Sequence, residues 1–148
     1  MSGVFVDTNV LLYGIDDRDP IKRDRSRAWL ATCWERRCGR LSTQVLNEFY
    51  ANVRKKFSAA LSADDARAEV RRYQSWLPWV IDHATIESAW SIESRCQLNY
   101  WDALMVAAAQ HQGCHTLLTE DLQHDQRIAG LRIVNPFVLG PEVLNNVA

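Results

Sequence analysis

Short apolar runs alternate with long helical patterns along this chain, and that alternation is what most limits the folds open to it. Runs such as residues 4–6 and 116–118 predict short buried strands. Because strands that are separated by helices are joined by right-handed crossovers, the pattern predicts a parallel sheet with helices on both faces. The sequence contains no linker, repeat or low-complexity segment, so we predict one α/β domain over residues 1–148.

Local signals also predict where the individual elements begin and end. Helix ends are indicated by capping residues, glycines and prolines, and strands by short apolar runs between turn residues. The predicted helices cover 9–13, 21–38 with Gly39 as the cap, the stretch after Ser42 or Thr43, 62–76 up to Pro78, 85–98, 100–112 after Asn99, and 121–128. The predicted strands cover 4–6, 40–42, 79–81, 116–118 and 131–134.

Composition excludes several classes of protein. A formal net charge of −1 excludes a chain that is attracted to nucleic acid by its whole surface, and an apolar share of 47% is ordinary for a globular protein. No apolar stretch approaches the ~20 residues that span a bilayer, so no membrane role is predicted. The first residues lack the pattern of a secretory signal, and the four cysteines form no CxxC pair. We therefore expect a cytoplasmic protein with reduced thiols.

Four acidic residues fall where such a sheet would bring them to one edge. Asp7 follows the first predicted strand, and Asp121 follows the strand at 116–118. Asp102 lies in the first turn of a predicted helix, and Glu48 lies in the second turn of another. Folds of this class bind ligands beyond the carboxyl ends of their strands, so the four side chains can face one crevice.

Each acid has an ordinary structural explanation when it is taken alone. An acid in the first turn favours the helix dipole, which suffices for Asp102 or Asp121, and Glu48 could be a solvated surface residue. Asp7 differs because it follows a fully apolar strand, is partly desolvated there and has no Lys or Arg beside it. If the four converge, repulsion raises their pKa values unless a cation offsets it, and all-oxygen ligands favour Mg²⁺ or Mn²⁺.

The stretches that carry these acids resemble the successive acidic motifs of PIN-domain nucleases. They read VFVDTNVLLY with Asp7, LNEFY with Glu48, YWDALMVAAA with Asp102 and LLTEDL with Asp121, in that order along nearly the whole chain. The resemblance implies a three-layer α/β/α fold with a central parallel sheet, and an endoribonuclease that hydrolyses RNA phosphodiester bonds. It also implies that the four acids are catalytic and bind one or two Mg²⁺ or Mn²⁺ ions. The short single-domain form most resembles the VapC-type toxins of toxin–antitoxin pairs.

The resemblance implies supporting roles for residues beside the acids. Thr8 and Asn9 would steady the turn after the first strand. The hydroxyl of Thr119 would orient Asp121 or a water held by the metal. This chain departs from many related sequences after the last motif, where it reads EDLQHD rather than EDLQHG. The additional acid, Asp125, leaves open whether Asp121 acts alone or with its help.

Features for RNA binding are weaker in the sequence. Arg54, Lys55 and Lys56 form the basic cluster favoured for an RNA backbone, because they share a helix with one of the four acids. Other basic clusters alternate with acids, which indicates ordinary solvated helix faces. Trp101 is expected in the core beside Asp102 rather than stacked on a base.

Toxins of the kind that the sequence resembles imply two protein partners, a second copy in a homodimer and a cognate antitoxin. The antitoxin would lay a helix or an extended tail in a groove near the acids. Candidates for lining such a groove are Leu12, Tyr13, Trp29 and Phe49, and a place in the ordinary core explains them at least as well.

Three other functions stay open from the sequence. The chain could be a PIN ribonuclease of RNA processing that is not a toxin, or a PIN-like module that binds RNA or protein without catalysis. The full acid set speaks against the second, because a binding module could lose an acid without loss of function. A phosphoacceptor domain would need a lysine at a later strand end, but Lys22, Lys55 and Lys56 all lie in predicted helices.

Overall fold

The computed structural model describes residues 2–146, which form a mixed five-stranded sheet flanked by helices. The strands are β1 (Val4–Val6), β2 (Gly39–Arg40), β3 (Thr116–Leu118), β4 (Arg127–Ile128) and β5 (Leu131–Val134). Their order across the sheet is β2-β1-β3-β5-β4. β1 pairs in parallel with β2 and β3, and β3 with β5, whereas β4 runs antiparallel to β5. The predicted parallel sheet is confirmed except at the β4 edge.

Helices on both faces of the sheet complete the predicted three-layer α/β/α architecture. Ser42, Ser62 and Asn99 cap helix N-termini as predicted, and each accepts a hydrogen bond from the backbone N–H three residues later. The helices are α1 (Thr8–Tyr13), α2 (Pro20–Glu35), α3 (Thr43–Lys56), α4 (Ala63–Arg72), α5 (His83–Cys96) and α6 (Tyr100–His111), with 3-10 helices at Tyr73–Trp76 and Pro141–Asn146. None of the helices in the described part is long and apolar enough to cross a bilayer.

The core is closed around β1, and this decides where the first acid lies. Val4, Phe5 and Val6 have no exposed surface, and Asp7 follows them directly. Residues 103–109 of α6 are buried as well, and the alanines among them allow close packing. The side chain of Asp7 therefore begins inside the protein, at the carboxyl end of a fully buried strand.

The first long helix ends earlier than the sequence predicted. α2 stops at Glu35, and Arg37 then takes a left-handed conformation with a φ of 55°. Gly39 lies in β2 and does not cap the helix. A Cβ atom added there would come within 2.5 Å of the ring of Trp76. The glycine is thus required by the close approach of this ring, not by a helix end.

The helix predicted over residues 121–128 is wrong. This stretch forms turns and then β4, which pairs with β5 in a tight hairpin. The turn between the two strands places Ala129 and Gly130 at positive φ values of 49° and 85°. Pairing with β5 satisfies the backbone of β4, and the spacing of apolar residues inside the segment does not reveal it.

Long-range contacts also decide two other segments. Residues 79–81, predicted as a strand, contribute only an isolated bridge between Trp79 and Ser42. The helix predicted over residues 62–76 is α4 up to Arg72, followed by the 3-10 helix. The remaining predicted elements are present, with ends that differ by one to two residues.

Candidate functional site

Asp7 is the most buried of the four predicted acids, with 6% of its surface exposed. Its Oδ2 accepts a hydrogen bond from the hydroxyl of Thr119 at 2.8 Å, and the backbone of Thr8 also donates to the carboxylate. Burial raises the pKa of Asp7 to about 7, although the hydrogen bonds act in the opposite direction. The nearby charges of Asp121 and Asp102 also contribute to this raised pKa. The carboxylate is therefore costly to ionise at neutral pH.

Thr119 connects the end of β1 to the loop after β3. Its side chain is fully buried, and the same hydroxyl that donates to Asp7 accepts the backbone N–H of Asp121 at 3.1 Å. One hydroxyl thus fixes two acids relative to each other across two paired parallel strands. The resemblance implied that Thr119 orients Asp121, and this geometry fits that role.

Thr8 and Asn9, at the start of α1, each bind a different acid. The hydroxyl of Thr8 donates to Oε2 of Glu48 at 3.0 Å, and Nδ2 of Asn9 donates to Oδ2 of Asp121 at 3.1 Å. The sequence predicted that these residues steady the turn at Asp7. Their side chains reach further than that, because they hold acids that come from distant parts of the chain.

The side-chain amides of Gln44 and Asn99 bind the carboxylates of Glu48 and Asp102. Nε2 of Gln44 donates to Oε1 of Glu48 at 3.1 Å and to the backbone carbonyl of Trp101 at 3.2 Å. Nδ2 of Asn99 donates to Oδ2 of Asp102 at 2.8 Å, in addition to capping the helix. Sequence reasoning missed Gln44. Its position one turn before Glu48 on α3 was an available signal, whereas its contact with Trp101, 57 residues away, leaves none.

The charges of neighbouring acids raise the pKa values of Asp7 and Asp102. Burial raises the pKa of Asp102, and the charge of Asp121 raises it further. The hydrogen bond from Asn99 lowers it, and Glu48 raises it again. The charges of Asp121 and Asp102 likewise raise the pKa of Asp7.

Hydrogen bonds give the geometry, since Thr119 binds the Asp7 carboxylate and the backbone N–H of Asp121. Gln44 likewise links the Glu48 carboxylate to the carbonyl of the residue before Asp102. The structure therefore places the four predicted acids near one another.

Asp125 stands apart from this crevice. Its carboxylate accepts a hydrogen bond from Nε of Arg132 at 2.8 Å, and this ion pair holds the pKa of Asp125 below its usual range. Its φ is 69°, a left-handed conformation that glycine adopts freely and aspartate tolerates. The difference between EDLQHD and EDLQHG therefore lies at a position of special backbone geometry. The predicted support of the acid site by Asp125 stays a prediction, and in this structure the carboxylate is bound to Arg132 of β5.

The basic residues predicted to contact RNA lie at the end of α3. Arg54, Lys55 and Lys56 are all exposed and occupy its last turn. Lys56 lines a groove of about 220 Å³ together with Asn9, which binds Asp121. Of the three cations, Lys56 is therefore the one that this groove connects to the acid crevice.

Another cation reaches the edge of the crevice from α2, and sequence reasoning missed it. Nζ of Lys22 donates to Oε2 of Glu120 at 2.9 Å and to the hydroxyl of Tyr13 at 3.3 Å. The ammonium lies 4.7 Å and 4.9 Å from the ring centroids of Tyr13 and Phe137. Since Glu120 precedes Asp121, the cluster fastens the loop after β3 to α1 and α2. Lys22 and Glu120 are 98 residues apart, so no local pattern predicts the contact.

Most residues suggested for a partner groove belong to the core. Leu12, Trp29 and Phe49 are 7%, 0% and 2% exposed. The indole N–H of Trp29 donates to the backbone carbonyl of Leu139, which satisfies its only polar atom. Tyr13 is half-buried in the cluster with Lys22. Leu12 and Tyr13 still line the groove that contains Lys56, and Phe49 lines another groove, so the prediction fails only for Trp29.

Trp101 is more exposed than the sequence predicted, whereas the groove candidates are more buried. The sequence predicted a core position beside Asp102, yet 61% of Trp101 is exposed. It stands in the first turn of α6, where its ring packs edge-on against Tyr100 with centroids 5.2 Å apart. Residues 103–109 are buried on every side of the helix, so Trp101 is exposed because it lies in the first turn, before the buried part of α6 begins.

The chemistry of the four acids suits a hard divalent cation. They offer only carboxylate oxygens, and repulsion between them contributes to the raised pKa of Asp7, which a cation would relieve. Within residues 2–146, no three His, Cys, Asp or Glu side chains stand close enough to ligate one ion together. Mg²⁺ usually takes only one or two carboxylates directly and keeps several waters. The residues therefore fit an ion held partly through direct bonds and partly through water.

Comparison with known proteins gives the family of this chain. The PIN domain family matches residues 4–129, and the protein belongs to it. The fold is similar to that of DNA-bound VapBC from Salmonella typhimurium, with a TM-score of 0.61 and 18% identity over 90% of this chain and 97% of the other. It is also similar to VapBC2 from Rickettsia felis bound to a promoter DNA fragment, with a TM-score of 0.54 and 16% identity over 88% and 96%. No curated protein matches the sequence.

Proposed function

We propose that this protein is an endoribonuclease that depends on Mg²⁺ or Mn²⁺ and acts as the toxin of a toxin–antitoxin pair. The observation that carries the proposal is the hydrogen-bond network that links four acids from four separate segments. Acids with a purely structural role are usually paired with lysine or arginine. These acids are instead held by hydroxyl and amide groups, and the charges of their acidic neighbours raise the pKa values of Asp7 and Asp102.

The four acids would share the work of holding one or two ions. When bound, the ion would offset negative charge on the phosphodiester and make a nearby water a stronger nucleophile. The protein's own groups fix where this chemistry takes place. Thr119 orients the carboxylate of Asp7, and Thr8 and Gln44 hold the two oxygens of Glu48 in place. The metal-binding residues of this proposal are Asp7, Glu48, Asp102 and Asp121.

Binding of the RNA strand would use the basic surface beside the crevice. Lys56 shares a groove with Asn9, and Arg54 and Lys55 lie on the same exposed turn of α3. Contacts of this kind recognise phosphates without reading the sequence, and they weaken as salt concentration rises. Cleavage by this protein should therefore slow at high ionic strength.

The toxin assignment is supported by the two structural neighbours, both of which are VapBC proteins bound to DNA. Together with the sequence resemblance to VapC-type toxins, they favour a cytoplasmic homodimer whose partner is an antitoxin. A PIN ribonuclease of RNA processing is the alternative. A small neighbouring reading frame that encodes a DNA-binding domain with an extended tail would support the antitoxin, provided that its product copurifies with this chain and suppresses cleavage.

The ribonuclease is tested with the purified chain after any bound partner has been removed by unfolding and refolding. We expect cleavage of RNA into discrete fragments with Mg²⁺ or Mn²⁺, and none when EDTA is present. Intact RNA under all conditions, together with no divalent-ion binding by calorimetry, would contradict the proposal. That result would favour a module that binds RNA or protein without catalysis.

The two acids of the EDLQHD stretch should behave differently on substitution. Asp121→Asn is expected to weaken Mn²⁺ binding by about tenfold or more, because Asp121 belongs to the acid crevice. Asp125→Asn should leave the affinity unchanged, because that carboxylate is bound to Arg132. Calorimetric titration of both variants measures the difference. Equal losses would mean that Asp125 joins the site after all.

A further inference from the structure

A groove beside Glu48 has no role in the function proposed above. It has a volume of about 460 Å³, within the range of small-molecule sites. Its walls belong to α3, to α6 and to the segment between α4 and α5. The residues that line it are Thr43, Gln44, Asn47, Glu48, Ile81, Trp101 and Leu104.

Trp101 gives this groove a flat, apolar and accessible face. With 61% of its surface exposed, it is among the most exposed large apolar residues of the described chain. The backbone beneath it is fixed, because Asn99 caps this turn and Gln44 donates to the Trp101 carbonyl. A large aromatic ring held on a rigid element loses little conformational entropy when a second flat ring stacks on it.

Gln44, which lines the groove, carries a buried polar atom without a partner. Oε1 of Gln44 is buried and makes no hydrogen bond within the described protein, while Nε2 of the same amide is used twice. A buried acceptor without a donor costs free energy unless a ligand supplies one. Asn47, exposed on the same wall, offers another amide. A ligand that suits the groove is therefore flat and carries hydrogen-bond donors on its edge.

The groove is continuous with the acid crevice. Glu48 lines it and is also bound by Thr8 at the start of α1. Trp101 directly precedes Asp102 in α6. A nucleic-acid strand whose phosphate lies among the acids would carry its neighbouring base into this groove. The base is neutral, so the nearby carboxylates do not repel it as they would a second phosphate.

We propose that this groove binds one unstacked base of single-stranded RNA, adjacent to the phosphodiester that is cleaved, by stacking on Trp101 and by hydrogen bonds to the exposed amide of Asn47. The inference rests on the proposed ribonuclease function and specifies how its substrate is held. Proteins recognise single-stranded RNA in this way, with bases splayed out onto aromatic rings and read along their edges. Trp101 thereby acts in substrate binding and not in the core.

RNA affinity tests this subsite without requiring cleavage. Asp7→Asn protein serves as the background, and binding of a fluorescently labelled single-stranded RNA of twelve nucleotides is followed by anisotropy in Mg²⁺ buffer. Adding Trp101→Ala is expected to weaken binding by about tenfold, as the loss of one base stack does. Trp101→Phe should restore most of the affinity. Trp90→Ala is the matched control, because Trp90 is 47% exposed on α5 and does not line the groove, and it should have no effect.

Oligonucleotides with a single abasic site locate the stacked base. At one position, the missing base should remove the difference between the Trp101→Ala protein and its parent. The subsite is refuted if Trp101→Ala binds as tightly as its parent, if Trp90→Ala costs as much, or if the parent binds no RNA. It is also refuted if Trp101→Ala changes only the sedimentation of the protein, which would make this face a protein contact. Cleavage by the unchanged chain is scored separately, so a failed subsite and a failed ribonuclease give different results.

Discussion

The Asp7→Asn protein is expected to lose RNA cleavage by a factor of about 10²–10³ or more and to be more stable than the unchanged protein in the absence of metal. The two effects have one cause. Asp7 is 6% exposed, and burial raises the pKa of this carboxyl to about 7. Its ionised form therefore destabilises the fold when no metal is bound, and a neutral amide of the same shape removes that cost. The expected gain above pH 7 is on the order of 2–4 kcal/mol.

The stability gained through Asp7→Asn should increase as the pH rises. The pKa of Asp7 is higher in the folded protein, about 7, than its ordinary value of 3.8, so the folded state keeps a proton that the unfolded chain releases. The free energy of unfolding of the unchanged protein should thus fall from about pH 4 to about pH 7 and be level above. Urea unfolding in EDTA, followed by circular dichroism, should show the two proteins closest near pH 4 and furthest apart above pH 7.

Asp125→Asn is the matched control for this experiment. The ion pair with Arg132 holds the pKa of Asp125 low, so removing that charge should not stabilise the fold at any pH. An Asp7→Asn protein that is markedly less stable at pH 8 than the unchanged chain would contradict the expectation. Asp7 would then be a structural residue, and the argument for a cation site would lose its basis.

Thr119→Val is expected to destabilise the protein by about 1.5–3 kcal/mol at neutral pH and to slow cleavage. Valine preserves the shape of the fully buried side chain but removes the hydroxyl. The carboxylate of Asp7 then loses its donor, and the backbone N–H of Asp121 loses its acceptor. The pKa of Asp7 should rise further, because the hydrogen bond from Thr119 lowers it. Unfolding by urea and the rate of RNA cleavage measure the two effects.

Thr116→Val, in the strand that precedes Thr119, supplies the comparison. Thr116 is also buried, but its hydroxyl contacts only the neighbouring His115 ring among its side-chain partners. We expect a smaller loss of stability and no change in cleavage. A Thr119→Val protein that cleaves RNA at the normal rate would show that the position of Asp7 does not depend on this hydroxyl.

Much of the fold could be predicted because its signals are local. β1 is an uninterrupted apolar run, and α3, α4 and α6 begin at Ser42, Ser62 and Asn99, whose side chains accept the hydrogen bonds that their residue types favour. The four acids were predictable for a related reason. Strand ends and first helical turns can be recognised from neighbouring residues, and a parallel sheet brings such positions to one edge.

The parts that could not be predicted depend on contacts between distant segments. Residues 121–128 pair with β5 and so form a hairpin rather than a helix. Gly39 is needed because the ring of Trp76 lies against it, 37 positions later in the sequence. The exposure of Trp101 depends on how much of the first turn of α6 other segments cover, and the hydrogen bond from Gln44 depends on how α3 and α6 pack together. The spacing of residues within one segment does not predict contacts between distant segments.

The order of the strands also sets when the crevice can form as the ribosome makes the chain. β1 is translated first, but the strand beside it, β3, and the hydroxyl of Thr119 follow 112 positions after Asp7. Until that stretch emerges, Asp7 has neither its hydrogen-bond donor nor its neighbour Asp121, and β1 lacks its pairing with β3. A chain that cuts RNA would thus stay harmless to the message being read until the last of its four acids has been translated.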